Sequence, residues 1–246
     1  MKNLLLSATI LFLLYSCSSD AGDISFRKIA EEINGQYGRS FYRSVAFSQY
    51  AIQYSNSSVA DTQVWHEAYL YPGNLIIKFD SISSGSGMLF RNDSMYEIRN
   101  DTILSVQYMP HDLIVLTMDM FQMRPDDIMK RVSELGYDTA AVCRGMYKDR
   151  PVYIVGTTDS TDRKTKQFWL DEYNFFCYRV IMTRDYGTRE VILEDILTKS
   201  GKWIEQEVVF KKNGVTDLRE EYFNITFNYP VDSAVFNPID FSERKW

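Results

Sequence analysis

Histidine is nearly missing from this chain of 246 residues: His66 and His111 are the two present. A zinc site wants three or four clustered ligands, and neither an H-E-x-x-H nor a C-x-x-C spacing occurs. The strained-elbow pattern G-x-S-x-G is absent too. Gly85-Ser86-Gly87 lacks the following Lys and helix of a phosphate loop, so it reads as a hairpin loop. A net charge of −6 leaves no basic surplus for nucleic acid. His66 alternates with Trp65 and Glu67 on a strand, which makes it a rim or solvent-face residue. Glu205 and Glu207 fall on one face of one strand, whereas a glycosidase pair must face across a cleft at about 5–10 Å. They read as solvated charges. The chain is therefore expected to be no enzyme and to need no cofactor or metal.

Long apolar runs are also scarce, and the one present is short. Met1-Lys2 precedes the run from Leu4 to Leu14, roughly a dozen residues against the 20 or so that span a bilayer. That length suits the apolar region of an export signal. The run closes on Leu14-Tyr15-Ser16-Cys17, which resembles the lipobox of bacterial lipoproteins. The resemblance implies cleavage before Cys17, acylation of its thiol with palmitate-type chains, and a signal peptide over residues 1–16. Several acyl chains hold a membrane where one does not. Residues 17–23 are the lipidated Cys and a small, polar, flexible tether, in which Asp20 and Asp23 are candidate sorting signals. Cysteine totals three, so Cys143 and Cys177 remain. Export permits a disulfide between them, but both sit in apolar strand-like runs where a free thiol acts as a small hydrophobe.

Residues 24–246 read as a single domain without an internal repeat. Phe26, Ile29, Ile33 and Tyr37 recur at helical spacing, predicting a helix over Ile24–Tyr37. The period then becomes alternating, and aromatics at 15% favour strands. Turns such as Asn92-Asp93, Lys148-Asp149 and Asn213-Gly214 are short, which requires antiparallel neighbours. The meander is interrupted by an oily segment, Asp112–Met123, and by a helix opened by Pro125-Asp126-Asp127. The expected fold is mainly β (α+β). It is a strongly curved antiparallel sheet or incomplete β-barrel of about 11–13 strands, with the two helical parts covering its concave face.

This order of elements resembles the outer-membrane lipoprotein-sorting (LolA/LolB-like) group, of a Bacteroidetes type given the aromatic content. The phrases Trp65-His66-Glu67-Ala68-Tyr69-Leu70-Tyr71-Pro72-Gly73, Lys148 to Gly156, Gln167 to Asp171 and Asp232 to Pro238 carry the likeness across most of residues 24–240. It implies an apolar cavity for lipid or lipoprotein acyl chains, in a monomer anchored in the cell envelope at the outer membrane and facing the periplasm. The alternative is an envelope interaction module with a filled core. Alternation places Ile52, Trp65, Met88, Phe90, Ile98, Val106, Phe168, Val180 and Met182 on the cavity wall, with Leu116 and Met120 in the lid. A one-residue slip in register would turn any of these strand residues outward.

Overall fold

Left-handed backbone at both centres of a two-residue turn matches the twist of the strands it joins. Asn92-Asp93, Asn100-Asp101 and Lys148-Asp149 all take this conformation, with φ between 46° and 64°. The computed structural model describes residues 24–184 and 187–246, so Cys17 and the rest of the expected signal and tether lie outside it.

The first meander comprises β1 (Ser44–Ser55), β2 (Ser58–Leu70), β3 (Asn74–Phe79), β4 (Gly87–Arg91), β5 (Ser94–Arg99) and β6 (Thr102–Tyr108). The second comprises β7 (Val142–Tyr147), β8 (Arg150–Val155), β9 (Gln167–Asp171), β10 (Cys177–Arg184), β11 (Gly187–Lys199), β12 (Lys202–Lys212) and β13 (Val215–Phe227). They join along β1 and β13 into one antiparallel sheet ordered β6-β5-β4-β3-β2-β1-β13-β12-β11-β10-β9-β8-β7. β6 and β7 are its two edges, so the curved sheet is not closed. The thirteen strands agree with the expected number.

The helices fill the concave side. α1 (Phe26–Tyr37) starts where Ser25 Oγ accepts from the Lys28 amide, and buries Phe26, Ile29, Ala30, Ile33 and Tyr37. α2 (Pro125–Glu134) has Pro at its start and Asp126 and Asp127 in its first turn, and buries Ile128 and Val132. Between β6 and α2 runs the lid, residues 112–123. It contains a π-helical turn, Ile114–Met118, followed by a 3-10 turn, Asp119–Gln122. No helix among the described residues is long and apolar enough to cross a membrane.

Cover on the convex side was not expected. The C-terminal 3-10 turns Ser233–Phe236 and Phe241–Glu243 lay Val235, Phe236 and Phe241 on Ala68, Ile76, Leu89 and Ile98. Lys78, fully buried on β3, donates its ammonium to the Phe241 carbonyl and stands 4.7 Å from that ring. Ile98 therefore lies beneath this strap, outside the concave core. Val106 pairs with Tyr96 on edge strand β6 and is 54% exposed. Ile52 shares a face with exposed Tyr50, opposite the buried Gln49 and Ala51. These three do not line the interior, because alternation fixes a residue's partners on its own strand but not which side is covered.

The two thiols are free. Cys143 shares a face with Ile154 and Trp169, in the outer cluster of β8–β10. Cys177 pairs with Leu170 in the inner core. Adjacent positions on β9 point to opposite faces, so the sheet stands between the thiols and excludes the disulfide.

Candidate functional site

Eight of the predicted lining residues do reach the concave side. Trp65, Phe90, Leu116, Met120, Phe168 and Val180 are buried in the inner core, and Met88 and Met182 pack against it half-buried. They pack densely rather than around a large void. What remains is a cavity of about 70 Å³ between the lid and the middle of the sheet. Its walls are Phe47, Leu75, Ile77 and Phe210 from the strands and Leu113, Ile114 and Met118 from the lid.

Its floor is acidic. Glu67 on β2, Glu205 on β12 and Glu220 on β13 all line it, at 4%, 3% and 8% exposure. No lysine or arginine lines it with them. Taking a carboxylate out of water without a cation favours the neutral acid. Burial accordingly pushes Glu205 up to about 7. Burial raises Glu67 as well, and the charges of Glu220 and Glu205 add to that. Glu220 is raised by burial, against the opposing effect of the nearby Gln49 amide and of the Tyr222 hydroxyl. The Tyr222 hydroxyl donates to Glu220 Oε2 at 3.2 Å, and its ring stacks on Phe47 at 4.5 Å. Glu205 Oε2 and the Thr117 hydroxyl, which lines the cavity from the lid, are buried without a hydrogen-bond partner. Orphaned buried polar atoms are few in native proteins and call for an explanation.

The lid is held at identifiable points. Asp112 accepts from the Tyr137 hydroxyl at 2.6 Å and pairs with Lys166 at 2.8 Å. Asp119 accepts from the Tyr69 hydroxyl at 2.6 Å and from the Gly73 amide at 3.0 Å, and burial raises its carboxyl to about 6. Phe121 enters an aromatic nest of Tyr37, Phe41 and Trp203. His111, at the cavity margin, packs edge-on against Phe90 at 4.6 Å, and desolvation lowers it to about 4.

Glu205 and Glu207 do not share a face. β11 takes a left-handed residue, Asp195 (φ 49°), where it runs beside β12, and alternation breaks there. Glu205 ends inside, while Glu207 lies outside against Arg219 at 3.2 Å. His66 faces outward, its Nδ1 2.9 Å from Ser48 Oγ, beside a shallow groove. The acidic floor was missed by sequence reasoning, although one signal was available: Glu67 occupies the same-face position between Trp65 and Tyr69. Among the described residues no group of three His, Cys, Asp or Glu is arranged to hold a metal ion. A larger hollow, about 660 Å³, opens on the outer face beside Tyr147, Lys148 and Tyr178. Glu194 on its wall accepts from both Tyr147 and Lys148.

An unclosed antiparallel sheet packed on helices is an architecture shared with solved proteins. A LolA superfamily protein from Nitrosomonas europaea superposes with a TM-score of 0.56, covering 87% of this chain and 98% of its own, at 11% identity. The chain has the LolA-like fold. A DUF1329 family protein from Desulfovibrio piger gives a TM-score of 0.59 at 11% identity, covering 87% of this chain and 98% of its own. A domain assigned to outer membrane lipoprotein sorting in Vibrio parahaemolyticus gives 0.57 at 11% identity, covering 86% and 95%. No family model matches the chain, and no curated protein matches it by sequence. At this identity the LolA-like likeness establishes the fold alone.

Proposed function

We propose that this chain is a membrane-anchored envelope protein that receives lipid or lipoprotein acyl chains between its sheet and its lid, for transport or insertion at the outer membrane. The observation that carries the reading is the lid itself. The lid is built of a π-helical turn followed by a 3-10 turn, directly above an incompletely filled hollow. Such turns cluster at functional hinges. Met118, Met120 and Met123 on the lid are flexible apolar side chains that adapt to varied partners. Ligand pockets measure about 300–1,000 Å³, so the cavity of about 70 Å³ has to enlarge to take an acyl chain. An acyl chain enters only if the lid swings away from β3 and β12. The LolA-like fold supports the reading, as does the lipoprotein-sorting assignment of one structural neighbour.

Dense packing of the inner core favours the second reading, an interaction module without a ligand. Native mass spectrometry of residues 24–246, prepared without detergent, separates the two. Acyl-chain binding predicts bound fatty-acid masses, uptake of added palmitate, and faster amide exchange over residues 112–122 when palmitate is present. Failure of palmitate to bind leaves the filled-core module. The anchor has its own test: Cys17→Ala is expected to accumulate as unlipidated precursor by intact mass, and normally acylated protein from that variant would remove the anchor from the proposal.

A further inference from the structure

The acidic floor is an odd furnishing for a hollow that only receives hydrocarbon. Three carboxyl groups from three strands converge on one small space, and no lysine or arginine lines it. An unpartnered hydroxyl, Thr117, faces the same space from the lid and is 1% exposed. One oxygen of Glu205 is likewise unsatisfied. The walls around them are hydrocarbon. The complement of such a site is a compact group that carries positive charge, donates several hydrogen bonds, and has an aliphatic substituent.

We propose that the cavity binds the primary ammonium of an aliphatic amine, with its three N–H groups shared among the oxygens of Glu67, Glu205, Glu220 and the Thr117 hydroxyl. The aliphatic substituent leaves along Ile77, Met118 and Phe210 into the path that opens when the lid moves. This rests on the acyl-binding reading for the tail and adds to it the chemistry of the head. The size agrees: a cavity of about 70 Å³ takes the ammonium head and its first carbons, and a long tail only when the lid lifts. An anionic head is disfavoured by the same carboxyl groups. A zwitterionic head would bring its phosphate against them, so the ligand carries an amine without a neighbouring anion.

Proton balance follows. Burial raises all three acids, so the floor favours their protonated forms up to about neutrality. Bringing in a cation reverses that preference, so one carboxyl proton is released to solvent as the ammonium binds. The groups that face the floor are Tyr222 on β13, His111 at the margin, and Tyr42 and Cys177 near Glu205; Arg189 on β11 acts on Glu220 from a greater distance. The tyrosines and Cys177 are raised further from neutrality by burial and His111 is lowered, so the released proton comes from a glutamate.

Isothermal titration of residues 24–246 near neutral pH tests this, in two buffers of different ionisation heat. Four probes are used: dodecylammonium and laurate, which share a tail length and differ in head, and butylammonium and butyrate as their short counterparts. The expected result is tighter binding of dodecylammonium than of laurate, with proton release seen only for the amines. Glu205→Gln, nearly isosteric, should weaken the amine by about ten- to a hundredfold, the worth of a hydrogen bond to a charged group, and should not weaken laurate, whose anionic head that carboxyl opposes. Equal binding of both long probes without proton release overturns the amine site and leaves acyl binding standing. Proton-releasing binding of butylammonium while neither long probe binds upholds the head site and removes the acyl reading. No binding by any probe overturns both and leaves the floor a pocket for water. The buffer comparison uses the unmodified protein, so it decides the matter even if Glu205→Gln folds poorly.

Discussion

Phe121→Ala is expected to lower the stability of the domain by about 3–5 kcal/mol, the cost of removing a large ring from a packed interior. Phe121 is fully buried. Its ring lies 5.3 Å from Tyr37 and 4.9 Å from Trp203, both edge-on, and 4.8 Å from Phe41 at a tilt. Those neighbours belong to α1, to the segment before β1, and to β12, so one side chain ties the lid to three parts of the fold. Aromatic pairs of this kind add about 0.5–1.5 kcal/mol beyond the area they bury, and alanine loses all three contacts. Urea unfolding measures the change as a lower midpoint at unchanged slope. Phe121→Leu, which keeps most of the volume, should recover more than half of the loss. A cost below about 1 kcal/mol for the alanine variant would mean that the lid is not seated in the core. Hydrogen exchange on the same variant should show residues 112–122 opening before the strands, since the loss falls on the lid's anchor.

The same residues show what the sequence could and could not disclose. Strand and helix positions were legible because turn chemistry and period are local. Asn92-Asp93 and Lys148-Asp149 announce hairpins, and Phe26, Ile29 and Ile33 announce a helix face. Which face of each strand is inward is not local. Ile98 is apolar because the C-terminal strap covers it, and that strap comes from residues 233–243, far along the chain. Cys143 and Cys177 both look like core positions, and both pack against apolar neighbours, yet on opposite sides of one sheet. The acidic floor was the least legible feature. A glutamate in an alternating strand reads as solvent-facing by base rate, and only the assembled sheet puts three of them together. The kink at Asp195 then hides Glu205 from any argument based on counting by two.

Those glutamates make stability fall as pH rises through neutrality. Burial lifts Glu205 from 4.5 to about 7, so between those values the folded chain keeps a proton that the unfolded chain has lost. Stability then declines with pH across that window, by about 1.4 kcal/mol per unit for each such group. Below about 4.5 the contribution is fully present, and above about 7 it is gone. Glu67 and Glu220 are raised too and act with the same sign. Asp119, raised from 3.8 to about 6, adds to the fall at lower pH. His111 opposes them: lowered from 6.5 to about 4, it takes stability away as pH drops through that interval. Lys78, lowered from 10.5 to about 8, restores stability as pH rises between those values. Between His111 and Lys78 lies a stretch near neutrality where the carboxyl groups act without opposition. Urea midpoints of the unmodified domain should therefore drop from about pH 6 to about pH 8, and Glu205→Gln, with nothing to ionise at that position, should drop less. A flat or rising profile for the unmodified chain, or equal slopes for the two, would show that the floor does not hold its protons. The profile also ties stability to ligand. At the upper pH the ionised floor is left without a cation, so an amine that binds only the folded form should raise the midpoint most where the empty protein is weakest. Laurate, which leaves the carboxylates unpaired, should not.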